Sequence, residues 1–144
     1  MSLRFTTLLA ALTAVSLALP VQAANGVFRA KNDMRVAPRD NVLIEVGGFT
    51  RNAGLDDYWC AVGDYLHRVQ KTSWNQKVYV ARGLGPAQAV NSRDAVLFTL
   101  DPTAAGVTPL DKEFRVVGTL SVGRAKSVNS AFYSCDRFPT LFRD

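Results

Sequence analysis

The sequence predicts an α+β domain of two layers, an antiparallel sheet of about four strands packed on one main helix with a short second helix near the C-terminus. Three observations carry this. Leu55, Tyr58, Trp59, Val62, Tyr65, Leu66 and Val69 recur at three- and four-residue steps, the spacing of an amphipathic helix. Several short runs rich in β-branched and aromatic residues are closed by glycine or proline, as strands are. The connections between the later runs contain no helical pattern, which favours antiparallel neighbours.

In chain order, residues 24–40 are polar and broken by Pro38, an N-terminal arm with room for a short strand around Phe28 or Met34–Val36. Residues 41–46 form a strand ended by Gly47 and Gly48. The helix begins at Leu55, with Asp56 and Asp57 in its first turn and His67, Arg68 and Lys71 towards its end. These charges complement the helix dipole, and Asp64 and Arg68 make an i,i+4 pair. Strands are predicted over 77–81, 95–100 and 114–122. They are separated by a Gly83–Asp94 loop and a second loop over 101–113. Val128, Ala131, Phe132 and Cys135 fit a short helix capped by Ser127; a strand over the same residues is the alternative.

Residues 1–23 read as a secretory signal peptide. Arg4 precedes the apolar run Leu8–Leu19, and Pro20 and Val21-Gln22-Ala23 supply a small-residue cleavage pattern, with cleavage expected after Ala23. The run is twelve residues long, whereas a spanning helix needs about 20. No cysteine follows Ala23 directly, so no lipid attachment point is expected there. The expected location is the periplasm or the extracellular space. Residues 24–144 form a single domain, large enough to bury a core without a metal.

The formal charge is +5, from 17 basic and 12 acidic residues, and removal of Arg4 leaves +4. The basic residues are scattered, so no nucleic-acid partner is expected, whereas weak attraction to an anionic envelope component is compatible with them.

The chain has one histidine and two cysteines, so several His and Cys ligands cannot gather on one metal ion, and neither a metal nor a cofactor is expected. In an exported chain Cys60 and Cys135 form one structural disulfide. On a helical wheel Asp56, Cys60, Asp64 and His67 share the face opposite the apolar stripe; Asp56, Asp64 and His67 form a surface cluster, and the C-terminal segment is expected to pack against the Cys60 flank, held by the disulfide. Cys60 and His67 lie roughly 10 Å apart along the helix, too far to act as a nucleophile pair. Gly83-Leu84-Gly85-Pro86 lacks the Lys-Ser/Thr ending of a phosphate-binding loop, and no Gly-x-Ser-x-Gly occurs. With Arg93, residues Gly83, Gly85 and Pro86 mark a possible binding loop. Tyr58, Trp59 and Tyr65 belong to the apolar stripe and hence to the core; Trp74 does not.

The stretch Asp57-Tyr58-Trp59-Cys60-Ala61-Val62-Gly63-Asp64-Tyr65, with a cysteine near the C-terminus after Ser127-Val128, resembles a group of small exported alphaproteobacterial proteins without an assigned activity. The resemblance implies a secreted domain with a structural disulfide and supplies no catalytic residue. A non-enzymatic periplasmic accessory or binding domain is therefore expected, its partner an envelope protein or an anionic envelope component. The alternatives are a small hydrolase using the Gly83–Asp94 loop with Asp64 and His67, or an inhibitor presenting a loop to an envelope enzyme.

Overall fold

The computed structural model describes residues 26–48, 53–110 and 120–137. The expected signal peptide, and most of the strand expected over 114–122, lie outside these residues. Among the described residues no helix is long and apolar enough to cross a membrane.

Strands β1 (Phe28–Arg29), β2 (Arg35–Pro38), β3 (Leu43–Gly47), β4 (Lys77–Pro86), β5 (Asp94–Thr99) and β6 (Ala125–Ser127) form one antiparallel sheet in the order β1-β2-β3-β5-β4-β6. Helix α1 (Leu55–Arg68) packs on one face, and α2 (Val128–Phe132) leads into a 3-10 turn over Tyr133–Arg137. The two-layer α+β expectation holds, with six strands among the described residues where about four are expected. Strands β1 and β2 lie in the arm where a short strand around Phe28 or Met34–Val36 is expected and pair locally, whereas β6 is a short edge strand paired with β4, fifty residues earlier at Lys77–Ser127. Residues 121–122, expected to end a strand, belong to a coil and turn leading into β6.

Register explains the two faces. Val36 pairs with Val46, Val46 with Val96, and Ile44 and Val80 with Phe98, so one apolar row crosses the sheet towards α1. These six residues and Trp59 are almost wholly buried, and Trp59 meets Phe98 edge-on at 5.1 Å between centroids. Because side chains alternate along a strand, the row Ala37–Glu45–Leu97–Arg82 faces the other way.

Helix α1 starts at Gly54, whose N–H donates to Asp57 Oδ2 at 2.6 Å. Helix α2 starts as expected, with Ser127 Oγ accepting from Ser130 N–H at 3.1 Å. Its first free N–H groups, on Val128 and Asn129, donate to the carbonyls of Gln76 and Trp74 at 2.9 and 3.0 Å. The segment between α1 and β4 is thereby fastened to the C-terminal helix.

Candidate functional site

The flank of α1 opposite its apolar stripe is covered by α2 and the 3-10 turn. Cys60 and Cys135 form the expected disulfide, with 4.6 Å between Cα atoms. Cys60 is fully buried beneath the C-terminal segment, as expected, but Asp64, expected in a surface cluster, is fully buried as well.

Asp64 is committed to two partners. Its Oδ1 and Oδ2 accept from Arg68 Nε and Nη2 at 2.6 and 2.5 Å, and Oδ2 also accepts from the Lys31 N–H at 2.9 Å. Hydrogen bonding to Asp64 raises the Arg68 pKa above its ordinary value, against a smaller opposing effect of burial. Asp64 therefore ties the turn after β1 to the helix. Asp56 lies at the other end of α1, 3.3 Å from Lys126 Nζ. Among the described residues no group of three or more His, Cys, Asp or Glu side chains could hold a metal ion.

His67 turns towards aromatic rings. It stacks on Trp74 with centroids 3.9 Å apart, and Phe132 meets both rings edge-on at 5.4 Å. Tyr133 meets Phe132 at 5.8 Å, and Lys31 Nζ sits 4.5 Å from the Phe132 centroid. Trp74 and Tyr133 remain exposed, at 39% and 56%. The cluster thus joins the end of α1, the 69–76 connection, α2 and the turn after β1. Sequence reasoning separated Trp74 from the core stripe, but its neighbours depend on the hydrogen bonds from α2.

The expected binding loop is differently placed. Gly83, Gly85 and Pro86 belong to β4, which continues beyond residue 81 through irregular pairing between Val80 and Gly85. Arg93 is highly exposed, 4.0 Å from Asp94. The connection proper, residues 87–93, folds over the sheet face away from α1. There Glu45 Oε1 accepts from the N–H groups of Gln88, Ala89 and Val90 at 2.8, 2.7 and 3.0 Å. Glu45 is fully buried, and its Oε2 lies 3.9 Å from Arg39 Nη1. Arg39 also donates to Gln88 Oε1. A cleft of about 430 Å³ opens beside them, lined by Ala37, Pro38, Arg39, Asp40, Gln88 and Ala89. The loop and the Asp64–His67 pair occupy opposite sides of the sheet, so the structure does not bring them into one site.

Sequence reasoning missed Glu45. Its one signal was a lone acid within a β-branched run. Comparison with known proteins finds no matching family model, curated protein or solved structure.

Proposed function

We propose that this protein is a non-enzymatic binding module of the periplasm or extracellular space, locked by the Cys60–Cys135 disulfide, with the aromatic patch around Trp74 and Tyr133 as its working surface. The observation that carries this reading is the exposure of two large rings held by a network of ring contacts and backbone hydrogen bonds. The polar groups nearby already have structural tasks. Both cysteines are joined, Asp64 anchors Arg68 and Lys31, and His67 is stacked. A disulfide fits an oxidising compartment, the destination expected from residues 1–23. Loop 87–93 is drawn back onto the sheet by Glu45, a poorer shape for an inhibitor's projecting loop.

Cell fractionation tests this reading. The chain recovered from the cell should begin at Ala24 by intact mass, contain no free thiol, and accompany the envelope fraction. Trp74→Ala combined with Tyr133→Ala should release it into the soluble fraction with the disulfide intact. Retention of the double variant in the envelope at the parent's level would overturn the patch as the working surface.

A further inference from the structure

We infer that the aromatic patch seats the domain on an anionic phospholipid surface, an inference that rests on the reading above and specifies its ligand. Trp and Tyr suit the boundary between headgroups and acyl chains because each joins an apolar ring to a polar tip. Trp74 and Tyr133 are both exposed. The charges agree. Asp33 is paired with Arg29, and Asp64 with Arg68. Lys31 over Phe132 and exposed Lys71 in the same connection as Trp74 therefore add positive charge, against exposed Asp136 on the 3-10 turn. Lysines beside interfacial rings attract anionic headgroups, and the formal charge of +4 left after removal of Arg4 acts in the same direction.

The test is sedimentation of the chain, as recovered from the cell, with vesicles of phosphatidylcholine alone or mixed equally with phosphatidylglycerol. Mixed vesicles should bind it more tightly, with affinity falling as salt rises. Trp74→Ala should weaken binding about tenfold. Trp74→Phe, which keeps a ring, should lose far less. Lys31→Gln with Lys71→Gln should cost about thirtyfold on mixed vesicles. The Trp74 emission should shift to the blue on binding, while buried Trp59 contributes a constant background in the parent and in Trp74→Phe. Circular dichroism and a thiol count establish that each variant is folded and oxidised.

Equal binding to both vesicle types, or full binding by the folded Trp74→Ala and lysine variants, would overturn the inference. Binding to isolated peptidoglycan but not to vesicles would also overturn it, while leaving the proposed binding module standing with a glycan ligand. Envelope retention by the Trp74→Ala, Tyr133→Ala double variant would remove both.

Discussion

Gly63 of α1 lies against the backbone of Phe132: a Cβ at residue 63 would sit 2.3 Å from the Phe132 nitrogen and 2.6 Å from the Ala131 carbonyl carbon. These are main-chain atoms of a helix held at its start by Gln76 and Trp74 and followed closely by the disulfide. They have little freedom to retreat. Gly63→Ala should therefore cost about 2–3 kcal/mol despite its better helix propensity, because forced separation of packed elements outweighs a gain of about 1 kcal/mol. Urea denaturation measures the loss. A neutral or stabilising result would show that α2 can move away freely.

The disulfide acts on the same helix pair. It joins residues 75 apart in the chain, so its removal should destabilise by about 4 kcal/mol on the chain-entropy model. Cys60→Ser with Cys135→Ser should lower the urea midpoint accordingly and increase amide exchange in 128–135 before it does so in the β3 and β5 strands. Equal exchange in all three regions would show that the C-terminal helix does not open separately from the sheet.

The legible parts of the fold share a local cause. The periodic stripe from Leu55 to Leu66 marked α1 because helical spacing is written into neighbouring turns, and Ser127 marked α2 because a cap precedes its own helix. The cysteine pair was legible from its count and expected compartment. Burial of Asp64 depends on a segment about seventy residues away that covers its face. The fixing of loop 87–93 depends on Glu45, some forty residues earlier, and neither relationship leaves a periodic trace. Trp74 was visible as a ring outside the stripe, but its platform forms only when α2 donates to the Trp74 and Gln76 carbonyls. Gly83 and Gly85 suggested a turn because glycine permits one; in β4 they accommodate irregular strand pairing instead.

Tyr58 makes stability depend on alkaline pH. Burial raises its pKa above the ordinary 10.0, and Asp94 and Asp57 add to the shift by repelling a phenolate. Between the unfolded and folded values the folded chain holds more protons than the unfolded chain, so stability falls as pH rises. Tyr58's contribution is fully present below about pH 10 and is lost as the pH rises through the folded value. Tyr58→Phe should show less alkaline loss than the parent when urea unfolding is compared at pH 9 and pH 11. Parallel curves would exclude Tyr58 as a source of this dependence, and absorbance titration of the phenolate provides a direct check.

Glu45 provides a sharper distinction between charge and hydrogen bonding. One buried carboxylate oxygen accepts three successive backbone N–H groups while Arg39 stands beside the other oxygen. Glu45→Ala removes the shared acceptor from three N–H groups and leaves Arg39 without its buried counter-charge. A loss of about 3–5 kcal/mol should follow. Glu45→Gln keeps a carbonyl oxygen for the loop but loses the negative charge and turns two N–H donors towards the Arg39 guanidinium. It should fall between the parent and Glu45→Ala. Hydrogen exchange at Gln88, Ala89 and Val90 separates the effects, with rapid exchange expected in Glu45→Ala and slower exchange in Glu45→Gln. If Glu45→Ala kept these three amides as protected as in the parent, the carboxylate could not be what holds the loop against the sheet.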